Sequence, residues 1–139
     1  MEITANAIQT IAVNNNVIFT DTPVKGSCSI VHRDNSGLIT LRGITNQCRA
    51  RFKVTFNGNV ALSEGATVGP ISVALAINGE PIGSTTMIST PAAVGEYNNI
   101  SAGVFINVPT GCCYTISVRN LTDSDIDMQN ANLIIERVA

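Results

Sequence analysis

Asn130-Ala131-Asn132-Leu133-Ile134-Ile135-Glu136-Arg137-Val138-Ala139, the closing stretch of the chain, decides how the rest is read. It reads as a β-strand. Side chains alternate faces along a strand, so Leu133 and Ile135 point one way and Ile134 and Val138 the other. The strand is therefore apolar on both faces. One face has the domain's own core to cover it. The other needs a helix layer, a second sheet or another copy of the chain. No segment places apolar residues at i, i+3, i+4 and i+7 over three turns, so no helix layer is expected. Another copy is the cover to which the sequence points.

The same period of two recurs upstream. Cys48, Ala50, Phe52, Val54 and Phe56 line one face of a strand, with Arg49, Arg51, Lys53 and Thr55 on the other, before Asn57-Gly58-Asn59 breaks the pattern. Ile100, Ala102, Val104, Ile106 and Val108 alternate with Asn99, Ser101, Gly103, Phe105 and Asn107. Ile71, Val73, Leu75 and Ile77 lead into Asn78-Gly79-Glu80-Pro81, a hairpin turn, with residues 82–90 as a Ser/Thr-rich return arm. Pro109-Thr110-Gly111 turns the chain into a strand whose core face is Cys112, Tyr114, Ile116 and Val118, and residues 121–127 form an acidic loop. Toward the N-terminus, residues 3–13 read as one strand and Asn14-Asn15-Asn16 as a turn. Residues 17–20 are a short strand closed by Asp21-Thr22-Pro23. Residues 27–33 and 38–41 pair across Asp34-Asn35-Ser36-Gly37. The expectation is a single all-β domain over residues 1–139, a two-sheet sandwich of about eight to ten short strands. The two-sided last strand favours a jelly roll in an oligomer.

Composition narrows the function classes. Charged residues make up only 13% of the chain, against about 25% in an average domain, so its surface suits packing against protein. A formal charge of −2 argues against nucleic-acid binding, which relies on dense Lys and Arg. Trp is absent, and the few aromatics make no stacking platform for single strands. No stretch approaches the roughly 20 apolar residues of a membrane span, and Met1-Glu2-Ile3-Thr4-Ala5-Asn6 has neither the basic region nor the apolar run of a signal peptide. Synthesis in cytoplasm is expected. Cys28, Cys48, Cys112 and Cys113 lack the short spacing of a zinc site, so they read as small buried thiols in a reducing compartment, a Cys28–Cys48 bridge being the unsupported alternative.

The segment Gly37-Leu38-Ile39-Thr40-Leu41 with a turn leading to residues 48–56, the run Val73-Ala74-Leu75-Ala76-Ile77-Asn78-Gly79-Glu80-Pro81, and the ending Asn132-Leu133-Ile134-Ile135-Glu136-Arg137-Val138-Ala139 carry a resemblance. The chain resembles the tumour-necrosis-factor/C1q-like (TNF/C1q-like) jelly rolls, and in particular their bacterial and phage branch. Its ending is similar to that of the C-terminal domain of collagen-like glycoproteins of Bacillus spores. Gly111-Cys112-Cys113 and Gln129-Asn130-Ala131-Asn132 resemble small proteins of Firmicutes phages and prophages. The resemblance implies a compact homotrimer. The first and last strands would be neighbours in an inner sheet whose free face packs on the threefold axis. The chain departs from the spore proteins in having no Gly-X-Y stalk, which favours a virion part.

Arg49, Arg51 and Lys53 are the sharpest charged feature. Either they pair with acidic neighbours such as Glu136 on an adjacent strand of the sheet, or they hold an anion or acidic glycan, repeated in each copy. With Phe105, Ile134 and Val138 they make up the expected interface. Asp123, Asp125 and Asp127 have a spacing that calcium ligands use, but the loop lacks the Gly and distant Glu of a helix-loop-helix site and reads as solvated. His32 has no sequence neighbours that suggest a triad, and neither a nucleophile elbow nor a Gly-rich phosphate loop occurs. Asn99-Ile100-Ser101 and Asn120-Leu121-Thr122 match the glycosylation pattern, which has no meaning without secretion in a eukaryote. No enzyme activity and no cofactor is implied.

Three functions compete at this stage. The first is a trimeric capsid decoration, short fibre or knob on a phage particle, bound to the capsid or another virion protein and placed on the virion surface. The second is a trimeric module that binds cell-surface glycan or a host receptor, on a phage tail or a spore or cell surface. The third is a small intracellular trimer holding a ligand between protomers.

Overall fold

The computed structural model describes residues 1–139. Twelve strands follow in order: β1 (Glu2–Ala5), β2 (Gln9–Ile11), β3 (Asp21–Val24), β4 (Ile30–His32), β5 (Ile39–Arg42), β6 (Arg49–Leu62), β7 (Ile71–Ile77), β8 (Glu80–Pro81), β9 (Met87–Ser89), β10 (Asn98–Pro109), β11 (Cys113–Asn120) and β12 (Ile126–Arg137). They form two antiparallel sheets. One runs β10-β6-β12-β1-β3, with β2 also on β12; the other runs β4-β5-β11-β7-β8, with β9 also on β7. Buried apolar side chains from both sheets make one continuous cluster between them. The expected all-β sandwich is present. The strand count exceeds the expectation because the short pieces β2, β8 and β9 are separate elements.

The longest strands build the first sheet. Ala50, Phe52, Val54, Phe56 and Val60 of β6 are fully buried. Asn57-Gly58-Asn59 does not end this strand. Gly58 keeps its place on the core face, where an added Cβ would come within 3.1 Å of the Phe56 ring and 3.3 Å of Met128 Sδ. Large neighbours fill the space that a side chain would take, so the glycine marks close packing within the strand.

β12 starts at Ile126, well before the expected start at Asn130. A bulge hides its first half from a period-two reading. Gln129 opposes Asn59 and Asn132 opposes Asn57, so β12 spends one extra residue there, and Asn130 adopts a φ of 55°. The buried set accordingly shifts from Ile126 and Met128 to Ala131, Leu133 and Ile135. At the same level the expected strand 3–13 breaks in two. β1 pairs the second half of β12 and β2 the first half, with residues 6–8 between them. β1 and β12 are thus neighbours, as the resemblance implied.

Asp21-Thr22-Pro23 is not a closing turn but most of β3, paired with β1. β3 is the sheet's outermost strand. Proline is tolerated there because no further strand needs its missing N–H. Residues 17–20 form no ladder, although Val17 and Phe19 are fully buried. The Gln9 amide takes the place of a strand neighbour, donating to the Ile18 carbonyl at 2.8 Å and accepting from the Ile18 N–H at 2.9 Å.

The Asn78-Gly79 hairpin forms as expected, with φ of 52° and 85°. Its return arm is interrupted by a 3-10 turn at Gly83–Thr85. The buried Thr85 hydroxyl accepts from the Leu75 N–H at 3.0 Å and donates to the Ile82 carbonyl at 2.7 Å, filling in for a missing ladder bond. The turn at Asp34-Asn35-Ser36-Gly37 joins β4 and β5, with Asn35 at a φ of 66°.

Candidate functional site

The outward face of the β10-β6-β12-β1-β3 sheet gathers the residues that the sequence singled out. Three rows cross it. Phe105 opposes Lys53, which opposes Glu136. Gly103, Thr55, Ile134, Glu2 and Val24 form the next row. Ser101, Asn57, Asn132, Thr4 and Asp21 form the third. Phe105 is 62% exposed, Val24 55%, Val138 44% and Ile134 42%. An antiparallel sheet with one solvated face ordinarily alternates apolar-in and polar-out. Here both faces carry apolar side chains in the upper rows, and only the amide and hydroxyl row is ordinary.

The cationic stripe falls on this face because β6 alternates strictly. Lys53 has Glu136 as its cross-strand partner in register. Arg51 donates through Nε to Asn107 Oδ1 at 3.2 Å, and its backbone N–H and carbonyl pair with Ala139 and Val138. Arg49 is exposed at the end of the strand opposite Pro109. Arg49 and Arg51 line a recess of about 290 Å³ with Gln47, Cys48 and Ala139.

The polar part of the face is held within the protomer. Asn132 donates to Glu2 Oε2 at 2.7 Å, and Asn99 donates to the Gly58 carbonyl at 3.3 Å and to Asn59 Oδ1 at 3.2 Å. Asp127 Oδ1 accepts the Thr10 and Ser63 hydroxyls, each at 2.8 Å. The acidic loop therefore spends one of its three carboxylates on the fold, and no group of three or more His, Cys, Asp or Glu side chains converges. Partial burial pushes the Tyr97 phenol above its ordinary 10.0, and the Asp127 carboxylate adds to that.

Several expectations need correction. All four cysteines are exposed and unbridged. Cys48 and Cys112 have the right parity for the core face, but each lies one residue before its strand begins, beyond the reach of the opposing sheet. Asn120 is fully buried, with its side-chain nitrogen donating to the carbonyls of Ile11, Ala12 and Ser124, so this sequon is closed to a glycan in the folded chain. His32 is a fastener between sheets. Its Nε2 donates to the Ser36 carbonyl at 3.0 Å, and its Nδ1 lies 3.2 Å from the hydroxyl of Thr22 on β3, which also donates to Asp34 Oδ1 at 3.0 Å. Sequence reasoning missed Asn120 and Thr85, whose surroundings come from distant segments. The polar residue types alone were a signal for turns.

No protein-family model matches this sequence, and no curated protein matches it either. Solved structures do. The globular domain of the zebrafish complement 1qA protein superposes with a TM-score of 0.64 at 11% identity, over 96% of this chain and 93% of that one. Murine APRIL superposes with a TM-score of 0.68 at 8% identity, over 99% of this chain and 98% of that one. No helix is long and apolar enough to cross a membrane. At such identities the likeness speaks for the fold alone, and the chain has the two-sheet jelly-roll fold of the TNF/C1q-like type.

Proposed function

We propose that this protein is a non-enzymatic structural module that assembles as a homotrimer through the outward face of its long-stranded sheet. Its place is on a phage particle, as a capsid decoration or a short fibre or knob. The observation that carries the assembly is the exposure of Phe105, Ile134, Val138 and Val24 on one sheet face. The virion role rests on the sequence resemblance to the phage branch of these jelly rolls. A trimer docks on a lattice by shape and repeats each contact three times, which raises avidity without new chemistry.

Light scattering on a sizing column tests the assembly. A mass three times the 14.6 kDa of the chain is expected, and a clean monomer sinks the proposal. Sedimentation with purified capsids then tests the role.

The recess between Arg49 and Arg51 favours a second reading, in which the trimer binds an anionic cell-surface glycan. Guanidinium groups suit carboxylate, sulfate and phosphate because of their forked donors. Binding to such glycans without capsids, abolished by Arg49→Ala, would select this reading over the first.

A further inference from the structure

β10 is the outermost strand of its sheet and has β6 alone as a neighbour. The register tells which of its backbone groups are left over. The Thr110 N–H donates to the Cys48 carbonyl at 3.1 Å, one step beyond Pro109 opposite Arg49. Bonded pairs alternate along an antiparallel ladder, so the even-numbered residues from Asn98 to Val108 bond to β6. The other side of β6 agrees: the Val138 N–H donates to the Arg51 carbonyl at 2.9 Å, so odd-numbered β6 residues serve β12. Asn99, Ser101, Gly103, Phe105 and Asn107 therefore aim their N–H and C=O groups off the edge, in the plane of the sheet. None of these groups has a backbone partner. All five residues are exposed, and for Gly103, which has no side chain, the exposed part is the backbone itself.

The other outer strands are blunted. β3 holds Pro23, β8 ends in Pro81, and β4 and β9 are three residues long. β10 runs for 12 residues without a charge, and its one proline is the last of them. Sheets ordinarily guard a long edge with charge, proline or a bulge, and this one is unguarded. The core beside it is also incomplete. Ala102 and Val104 point inward yet are only partly buried, and the 3-10 turn at Gly83–Thr85, which interrupts the outer strand of the facing sheet, lies against β10. We propose that the β10 edge takes up an extended segment of another protein, which adds to the sheet as a further strand. That segment is uncharged and free of proline, long enough to span Asn99 to Asn107, with apolar side chains at alternate positions to cover Ala102 and Val104. A second copy fits less well, because its own β10 brings β9 and the 3-10 turn with it, and two whole sandwiches must then meet where a single strand has room. The inference goes beyond the assembly reading and does not rest on it, since these bonds lie in the sheet plane and assembly uses the sheet face.

The test is amide hydrogen exchange with the peptide acetyl-Thr-Val-Thr-Val-Thr-Val-Thr-Val-Thr-amide, added up to millimolar concentration. In the free protein the amides of Ser101, Gly103 and Phe105 exchange fast, and those of Ala102, Val104 and Ile106 slowly. The peptide slows the first set by about tenfold or more and leaves the second set as it was. Gly103→Pro removes one outward N–H without touching the β6 ladder and weakens binding by about tenfold or more. Gly103→Ala keeps that N–H, and its added Cβ meets nothing nearer than 3.7 Å, so it binds as the wild type does. Thermal melts verify that each variant folds. Outward amides that stay fast with peptide, or a Gly103→Pro variant that binds as well as the wild type, overturn the strand addition. Outward amides already slow in the free protein overturn it too, and a mass above that of one chain then assigns the edge to a second copy.

Discussion

Asn120→Asp changes one atom and should cost much of the fold. The Asn120 side chain is fully buried where β11 meets the loop after β2 and the acidic loop. Its nitrogen donates to the carbonyls of Ile11 at 3.1 Å, Ser124 at 3.2 Å and Ala12 at 3.3 Å, while Oδ1 accepts the Thr122 N–H at 2.9 Å. A carboxylate keeps the Thr122 bond and loses every donated one. An amide has two protons to give, so two bonds' worth of donation disappears. Each buried group left unpaired costs about 1–3 kcal/mol. The charge set against three carbonyl oxygens adds to this until the new carboxyl takes up a proton instead. A loss of about 3–5 kcal/mol at pH 7 follows, out of the roughly 5–15 kcal/mol typical of a domain. The melting point should fall by about 10–20 °C.

The pH dependence has a definite sign. Burial raises the folded-state pKa of the new carboxyl above its unfolded value, so the unfolded variant loses its proton first as pH rises. The variant is then least stable at high pH and recovers as pH falls from 7 toward 5. Urea denaturation followed by far-ultraviolet circular dichroism at both pH values measures this. A loss under about 1 kcal/mol, unchanged between the two, would refute the view that this amide holds three segments together.

Gly58→Val should destabilise by about 1–3 kcal/mol through overpacking against Phe56 and Met128, and an unchanged urea midpoint would mean that the ring does not lie over the glycine. The native protein should react with four equivalents of an aromatic disulfide reagent without denaturant, since all four thiols are exposed; thiols that react only in urea would contradict this. Tyr97 should ionise above an ordinary phenol in an ultraviolet titration, and Asp127→Asn should bring it part of the way back. Because the unfolded chain ionises first, that residue lowers stability as pH rises past the ordinary phenol value.

Alternation along the chain was enough to set the class of fold and the facing of most strand residues. Phe52, Val54, Leu133 and Ile135 point inward, and Lys53, Phe105, Ile134 and Val138 point outward, because successive side chains on a strand have no other choice. Turn chemistry at Asn78-Gly79 and Asn35 was equally local, since those positions need the left-handed region that Asn and Gly tolerate. That the last strand carries apolar side chains on its outward face was also legible, from Ile134 and Val138 alone.

What the sequence could not decide depends on neighbours far along the chain. The bulge at Asn130 reverses parity within β12, so a period-two reading stops there although the strand does not. Gly58 looks like a breaker until the Phe56 ring and Met128 are placed over it. Pro23 belongs to a strand only because β3 is the outermost of its sheet. Cys48 and Cys112 have core parity, yet the core ends before it reaches them. The order β10-β6-β12-β1-β3, which leaves β10 at a free edge, exists only once distant strands pair. Local geometry dictates which way a side chain points, whereas what it meets is set by long-range pairing that no single stretch contains.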